Sequence, residues 1–137
     1  MDSVREAKDG ADISHVVRCV IDLRKAINGP IEVDTAWTGS HVARLIQSPA
    51  AVVYVTSGGF IAGELSQTVI NPSVIAIEQG WYASDKTGIM LLSAFENWAS
   101  DMGAMGIKMS TSQDENTMAG RILKKRGYKP AELMWFK

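Results

Sequence analysis

The stretch VIAIEQGWYASDKTGIMLLSAFENWASDMGAMGIKMST, residues 74–111, decides the fold, because its pattern changes from strand to helix and back to strand. Residues 74–82 form an apolar run rich in β-branched and aromatic side chains, which predicts a strand. Between about residues 88 and 102, apolar side chains recur at i, i+1, i+4, i+7, i+8 and i+11, which predicts a helix. Residues 106–111 predict a further short strand. This order forms a βαβ unit, so we expect strands 74–82 and 107–111 to run parallel and adjacent.

The polar run SDKTG, residues 84–88, lies between the first strand and the helix of this unit. Within it, Asp85-Lys86-Thr87-Gly88 resembles the aspartyl-phosphate motif of ion-pumping ATPases. Those pumps need membrane spans, and the longest apolar runs of this chain are far shorter than the roughly 20 residues of a membrane helix. We therefore interpret the run as a strand-to-helix turn, where backbone amides can hold a phosphate.

Upstream of this unit the sequence predicts two helices and then two strands. A helix over residues 12–27 ends at Asn28-Gly29-Pro30, and a second helix over residues 34–47 has Asp34 as its N-cap. The β-branched run 51–56 and the run 60–70 predict strands that are joined by a tight turn. With strand 74–82 they form an antiparallel meander.

Downstream, Ser112 and Glu115 have the spacing of a capping box, which predicts a last helix starting at Ser112 and ending at Gly127. Residues 131–137 predict a closing strand. The element order is therefore α-α-β-β-β-α-β-α-β, with space for a first strand in the N-terminal residues. This order indicates one mixed α/β domain over residues 1–137.

Composition is ordinary for a soluble globular protein, with 46% apolar and 21% charged residues. The formal net charge of −1 gives no basic field for a nucleic-acid or membrane partner. Cys19 is the only cysteine, which excludes an intramolecular disulfide and favours a structural thiol over a nucleophile. The N-terminal residues have no apolar signal core, so we expect a cytoplasmic location.

The element order and the residues from about Ile75 to Lys137 resemble the GNAT-type acyl-CoA N-acyltransferases. Residues 81–110 are similar to that family's fourth strand, pyrophosphate loop, third helix and fifth strand. Asn116, Ala119 and Gly127-Tyr128 match its N-x-x-A…G-F/Y run. The resemblance implies a mixed, mostly antiparallel sheet with a βαβ unit and helices on both faces. It also suits a short, divergent bacterial or phage member.

The resemblance implies acetyl-CoA as the cosubstrate and assigns residues to it. The diphosphate would lie on the backbone amides from Ser84 to Ile89, and the pantetheine arm would run along the strand from Gly80 to Ala83. Gly88 matches the last glycine of the family's loop, and Lys86 could add a charge-assisted contact to phosphate. The cofactor-binding residues that follow are Trp81, Tyr82, Ala83, Lys86, Thr87, Gly88, Ile89 and Asn116.

Three features depart from the family's pattern. The loop is shorter and lacks the opening Gln or Arg and the middle glycine. Asp85 puts a negative charge where a diphosphate would lie. The position that often carries a tyrosine general acid, four residues after Ala119, is Leu123, and the pattern places the nearest phenol, Tyr128, in the closing turn.

Acyl transfer from a thioester to an amine needs a base, a donor to the oxyanion and an acid for the leaving thiolate. Glu78 lies within an apolar strand, where burial would raise its pKa and suit it as the base. On strict alternation it shares a face with Gly80 and Tyr82. Tyr82 could protonate the thiolate, and the amides of Tyr82 or Ala83 could hold the oxyanion. The alternatives are a solvated or ion-paired Glu78 and a Tyr82 that only packs its ring.

Two other groups of residues allow more than one interpretation. His15 and His41 share no ligand spacing, which favours surface or capping roles, although the resemblance places the first two helices beside the acceptor. The basic cluster Arg121, Lys124, Lys125, Arg126 and Lys129 is typical of a solvated helix end, with a contact to the 3′-phosphate of coenzyme A as the second interpretation.

Two functional hypotheses follow. The first is an N-acetyltransferase that moves an acetyl group from acetyl-CoA to an amine acceptor by direct attack. The second is a catalytically inactive protein of the same fold that binds a partner protein. A homodimer formed through the closing strand is a further expectation from the resemblance.

Overall fold

A computed structural model of the chain describes residues 3–112, 114 and 116–137. In these residues, five strands and four helices follow the order that the sequence predicts as far as the last helix, including the first strand in the N-terminal residues. The elements are β1 Arg5–Glu6, α1 Gly10–Ile27, α2 Thr35–Gln47, β2 Ala51–Thr56, β3 Gly59–Ser66, β4 Ile75–Ala83, α3 Gly88–Asp101, β5 Ile107–Lys108 and α4 Met118–Lys125.

The strands form one sheet in the order β1-β2-β3-β4-β5. Strands β1 to β4 pair antiparallel, and β5 runs parallel to β4 with Ala76 opposite Ile107 and Ile77 opposite Lys108. The βαβ unit and the mixed, mostly antiparallel sheet are therefore confirmed.

Helices cover both faces of this sheet, as expected. Helices α1 and α2 pack on one face, where Val16 and Leu45 meet Val53, Val55 and Phe60. Helices α3 and α4 pack on the other face against the alternate strand residues Val52, Ile61 and Ala76. Alternation along β2 and β3 thus supplies two apolar clusters from one sheet.

Local capping sets the helix boundaries. The side chains of Asp9 and Asp34 accept hydrogen bonds of 3.0 Å from backbone amides in the first turns of α1 and α2. Asn28 ends α1 in the left-handed conformation, with φ 50° and ψ 47°. The predicted ends of the first two helices are confirmed within a few residues.

The last helix and the closing strand differ from the sequence prediction. Helix α4 begins at Met118 with Thr117 as its N-cap, because the Thr117 hydroxyl accepts the Gly120 amide at 3.2 Å. Ser112 is therefore not the cap, and Glu115 lies outside the described residues. Residues 131–137 form no strand, since no neighbouring strand supplies a hydrogen-bonding partner within the described residues.

Two strands are also shorter than predicted. Strand β3 ends at Ser66 instead of residue 70, because the polar residues from Gln67 onward bond within their own loop, as Gln67 Nε2 does to the Pro72 carbonyl at 2.8 Å. Strand β5 covers only Ile107 and Lys108, because β4 and β5 separate beyond this pair.

Candidate active site

Strands β4 and β5 separate after Ile77, and this fork is the first feature of the candidate site. Strand β4 continues to Ala83 and stays paired with β3, while its pairing with β5 stops at Ile77 and Lys108. In the described part of the chain, no backbone group pairs with the β5-side edge of β4 between Gln79 and Ala83. The fork therefore offers an open strand edge.

A β-bulge at Gln79 changes which side chains share a face of β4. Ala62 of β3 pairs with Gly80 and Gly63 pairs with Glu78, so Gln79 has no partner in β3. A Cβ on Gly63 would lie 2.5 Å from Cε1 of Phe95, so this pair faces α3. A Cβ on Gly80 would instead meet Phe60, on the opposite face.

Glu78 therefore lies on the α3 face, while Gly80 and Tyr82 lie on the α1–α2 face. The prediction that the three residues share a face is wrong, because strict alternation fails at the extra residue of the bulge. The two predicted catalytic side chains, Glu78 and Tyr82, flank the open edge of β4 from opposite faces.

Glu78 is a buried carboxylate held by the chain that follows β5. Its residue is 8% exposed, and its Oε1 accepts hydrogen bonds from the amide of Ser110 at 2.9 Å and from the Ser110 hydroxyl at 3.3 Å. Burial raises the pKa of Glu78 to about 7, against the opposing effect of the two Ser110 bonds. A carboxylate with this pKa can accept a proton near neutral pH.

The hydrogen-bond ladder between β3 and β4 indicates which backbone amides of β4 point toward the fork. The Ser84 amide donates to the Gly58 carbonyl at 2.9 Å and so extends the β3–β4 ladder. By alternation, the amide of Tyr82 also points toward β3, and the amides of Trp81 and Ala83 point toward the open edge. Of the two predicted oxyanion donors, Ala83 is the one on the open side.

The N-terminus of α3 lies at the end of this edge, and its first amides have no intrahelical acceptor. In the described part of the chain, the amides of Gly88, Ile89 and Met90 donate to no protein atom. The amide of Thr87 differs, because Oδ1 of Asp85 accepts it at 3.0 Å. One of the backbone amides predicted to hold the diphosphate, that of Thr87, is therefore already bonded to a carboxylate.

The hydroxyl of Thr87 is bonded within the protein as well. It lies 2.8 Å from the hydroxyl of Thr56 in β2 and donates to Oδ1 of Asp85. Thr87 is buried, and the Asp85 carboxylate lies against Gly58 of the β2–β3 turn, where a Cβ would collide with it. These contacts fix the loop between β4 and α3 to the neighbouring hairpin.

The remaining predicted cofactor-binding residues occupy different positions around the fork. Trp81 is half-buried on the α3 face, and its indole nitrogen donates to the Gly88 carbonyl at 2.9 Å. Lys86 and Ile89 are exposed. Asn116 lies in the turn before α4, not inside the helix as predicted. Its backbone amide donates to Oδ1 of Asp114 at 2.9 Å. The binding roles of all these residues stay predictions.

The two tyrosines considered as acids have different environments. Tyr82 packs its ring against the α1–α2 cluster. Tyr128 follows α4, where its hydroxyl donates to Oε2 of Glu96 at 2.9 Å. Burial and this bond raise the pKa of Tyr128, which makes it a poor proton donor. Its position in the closing turn is as predicted.

The histidines bond to neighbouring elements. His15 Nε2 lies 3.2 Å from the Gly59 carbonyl and 3.7 Å from the sulfur of Cys19. Burial raises the pKa of the Cys19 thiol to about 11, which supports the structural interpretation. His41 stacks on Trp37 and lies 2.6 Å from Oε1 of Gln79, so it contacts the bulge itself.

The basic cluster at the end of α4 is partly engaged by the protein. Arg126 forms an ion pair with Glu96 of α3 and donates to the hydroxyl of Ser93. Arg121 donates to the Asn116 carbonyl at 3.0 Å. These contacts agree with a helix end that stabilises the fold, while a contact to a 3′-phosphate stays a prediction.

Two clefts lie outside the fork. A polar cleft of about 320 Å³ is lined by residues that include Arg5, Asp12, His15 and Thr56. A more apolar groove of about 450 Å³ lies between the end of α1 and the start of α2, where Ile27, Trp37 and Met134 line it. The open edge of β4 is a site for strand-like pairing and needs no enclosed cavity.

Sequence reasoning missed Ser110 and Gln79. Ser110 follows β5 as an ordinary polar residue, and its link to Glu78 spans 32 positions. Gln79 carries no bulge signal of its own, although the nearby glycines Gly63 and Gly80 are typical of strands with an irregular register.

Comparison with solved structures identifies the architecture. A putative acetyltransferase from Arthrobacter sp. FB24 superposes with a TM-score of 0.75 at 20% identity, covering 98% of this chain and 94% of that one. AAC(6')-Iy in complex with the bisubstrate analog CoA-S-monomethyl-acetylneamine superposes with a TM-score of 0.72 at 17% identity, covering 100% and 97%. The chain has the GNAT acyltransferase fold.

A GNAT fold alone does not fix an activity. A transcriptional regulator from Bacillus halodurans C-125 superposes with a TM-score of 0.77 at 15% identity, covering 100% of this chain and 99% of that one. No protein-family model matches the sequence, and no curated protein is similar to it. In the described residues, no helix is both long and apolar enough to cross a membrane.

Proposed function

We propose that this GNAT-fold chain is an N-acetyltransferase that moves an acetyl group from acetyl-CoA to an amine acceptor by direct attack. One observation carries the proposal: the unpaired edge of β4 leads from the buried Glu78 to the amides at the start of α3. Solved structures with this fold include AAC(6')-Iy in complex with CoA, at 14% identity.

The residues at the fork fit acetyl-CoA in two respects and oppose it in one. The open edge of β4 supplies the backbone groups of Trp81 and the carbonyl of Ala83 for the amides of a pantetheine arm, and the Ala83 amide remains for the oxyanion. The amides of Gly88, Ile89 and Met90 supply donors for a diphosphate. The carboxylate of Asp85 repels the same anion. The balance favours binding, because three amides remain unbonded and the exposed Lys86 adds a positive charge.

Acetyl-CoA, when bound, would supply an activated acetyl thioester. The amide of Ala83 would donate to the carbonyl oxygen as negative charge develops on it. Glu78 would take a proton from the attacking nitrogen through water, so that the nitrogen forms its bond to carbon as the carbon–sulfur bond breaks. Tyr82 would protonate the departing sulfur. These roles divide the acid and the base between the two faces of β4.

We place the acceptor on the α1–α2 face. There the bulge residue Gln79 contacts His41, which stacks on Trp37 at a centroid distance of 4.7 Å. Trp37 also lines the groove beside α1 and is 62% exposed. The contact of His41 with Gln79 links this groove to the bulge of β4.

Titration calorimetry with acetyl-CoA tests the binding step, and thiol release in the presence of amine acceptors tests the reaction. We expect saturable binding of acetyl-CoA and thermal stabilisation by millimolar ligand. Absence of both heat and stabilisation would refute the proposal. The matched control is acetyl phosphate, which carries an acetyl group but no pantetheine arm for the open edge.

The competing candidate is a partner-binding protein that has lost the cofactor. Its supporting observations are the bond from Asp85 to the Thr87 amide and the exposed apolar residues near the C-terminus. It predicts that acetyl-CoA does not bind. Coenzyme A that co-purifies with the protein would exclude it.

We also propose that the chain forms a homodimer through residues 131–137. Leu133, Met134, Trp135 and Phe136 are 61% to 87% exposed, and the outer edge of β5 has no strand partner in the described part of the chain. In a dimer, residues 131–137 of each copy could pair as a strand with the outer edge of β5 in the other copy. Native mass spectrometry should show a dimer that is lost when residues 131–137 are deleted, and a monomeric full-length chain would contradict this.

A further inference from the structure

We propose that Ser110 is a positioning residue that fixes the carboxylate of Glu78 at the fork between β4 and β5, with one oxygen held and the other open to the reaction. The inference rests on the proposed function, in which Glu78 is the base. Nothing in the sequence marks Ser110 for this role.

The position of the bond supports this role. The backbone ladder between β4 and β5 ends at Ile77 and Lys108. Directly after it, the side chain of Glu78 continues the connection by accepting both the amide and the hydroxyl of Ser110. Ser110 thus holds Glu78 where the open edge of β4 begins.

The two donors leave one carboxylate oxygen available. Both bonds end on Oε1, and Oε2 accepts no hydrogen bond from the described residues. No buried side-chain oxygen of those residues lacks a partner, so Oε2 is in contact with solvent. A water bound to Oε2 would complete the proton path from the acceptor nitrogen to the carboxylate.

Uncharged groups surround this carboxylate on the elements packed against it. Strand β3 places Gly63 opposite Glu78, and α3 places Phe95 behind Gly63. Among the described residues, burial and the two Ser110 bonds are the causes that shift the pKa of Glu78. Ser110 is therefore the neighbour that adjusts proton affinity at this position.

Two ion pairs lie near the sheet around the fork. On the α3 face, Glu96 of α3 pairs with Arg126 after α4. Lys108 of β5 alternates with Ile107 and Met109, so it lies on the opposite face, where it pairs with Glu132 at 2.6 Å. Both pairs form with partners other than Glu78.

Ser110→Ala tests the inference, because it removes the hydroxyl and keeps the backbone amide. Loss of one bond to the charged form should raise the pKa of Glu78 by about half a unit. The acidic limb of the kcat/KM profile should move to higher pH by the same amount, while KM for acetyl-CoA stays unchanged. Unlike Ser110→Ala, Ser110→Thr should keep the wild-type profile, because threonine also carries a hydroxyl.

Thr111→Ala is the matched control, because Thr111 is an exposed neighbour whose hydroxyl donates locally to the Ser112 carbonyl. It should leave the profile unchanged. A loss of kcat/KM in Ser110→Ala that is equal at all pH values would indicate a merely structural role and overturn the inference.

Two further measurements separate this inference from the proposed function. A carbon-13 NMR titration of the Glu78 carboxyl reports its pKa without any turnover, and an unmoved pKa in Ser110→Ala would overturn the role of Ser110 alone. Glu78→Gln keeps an acceptor for the Ser110 amide but cannot act as a base. If Glu78→Gln retained full turnover, the catalytic role of Glu78 in the proposed function would fail.

Discussion

Oδ1 of Asp85 accepts the amide of Thr87 at 3.0 Å, directly before the first residue of α3. This carboxylate occupies an amide at the start of α3 that could otherwise donate to a bound anion. The protein thus carries its own anion at the position where the proposed diphosphate would bind.

Asp85→Asn should tighten the binding of coenzyme A. The amide oxygen of Asn can still accept the Thr87 amide, whereas the negative charge near the diphosphate is lost. Removal of about 1 kcal/mol of repulsion corresponds to about a fivefold lower Kd by titration calorimetry, with a smaller gain at high salt. Asp101→Asn, at the other end of α3, is the control and should leave Kd unchanged. Equal affinity of Asp85→Asn and wild type would show that the carboxylate turns away from the ligand.

Glu78→Gln should change how stability depends on pH. The pKa of Glu78 is about 7 in the folded state, against 4.5 as its ordinary value. Between these values the folded protein holds a proton that the unfolded chain releases, so stability falls as pH rises through this window, by about 3 kcal/mol. The Gln variant lacks this fall and should be more stable than wild type at about pH 8.

Urea unfolding at about pH 5 and about pH 8 measures this difference. The exposed Glu32→Gln serves as the control, and its loss of stability between the two pH values should equal that of wild type. A parallel fall in Glu78→Gln and wild type would show that Glu78 is not the group responsible.

Asp12→Asn should lower the free energy of unfolding at neutral pH, and should lower it less in acid. Asp12 is 5% exposed and accepts two bonds from the Arg5 guanidinium, at 2.7 and 2.8 Å. The Arg5 contact lowers the pKa of Asp12, so its stabilising effect is present above its ordinary pKa and is lost as pH falls. We expect a loss of about 2 kcal/mol at neutral pH, since Arg5 is half-exposed.

Denaturant unfolding of this variant at neutral and acidic pH provides the measurement. Asp22→Asn, an exposed position on the same helix, should change stability by no more than about 0.5 kcal/mol. An Asp12→Asn deficit that persists undiminished in strong acid would contradict the ionic origin of the effect.

Gly63→Ala should destabilise the sheet at the bulge. A Cβ at this position would lie 2.5 Å from Cε1 of Phe95 and 2.6 Å from the Ile77 carbonyl oxygen, and neither the ring nor the backbone can move aside easily. A loss of about 2 kcal/mol in unfolding free energy is expected. Gly106→Ala, where a Cβ meets nothing within 4 Å, is the matched control and should be near neutral. Equal stability of the two variants would indicate that the bulge adapts.

Features that depend on neighbours in sequence could be predicted. The apolar spacing of Leu91, Leu92 and Phe95 defined α3, and Asn28 and Asp34 marked helix ends through bonds within their own turns. Among caps, Ser112 and Thr117 offer the same hydroxyl chemistry. In the structure, Thr117 and not Ser112 is the cap of α4.

The sequence by itself determined the order and type of the elements as far as α4 and the parallel pairing of β4 with β5, because apolar periodicity and capping act over a few residues. It left open whether Glu78 is buried. Tertiary structure alone decided the face on which Glu78 lies, its bond to Ser110, and the direction of the Asp85 carboxylate. Each of these depends on contacts between residues far apart in the chain, such as Gly63 with Phe95 and Gly58 with Asp85. Local patterns carry no information about such contacts, because their energy arises only when the sheet and helices pack together.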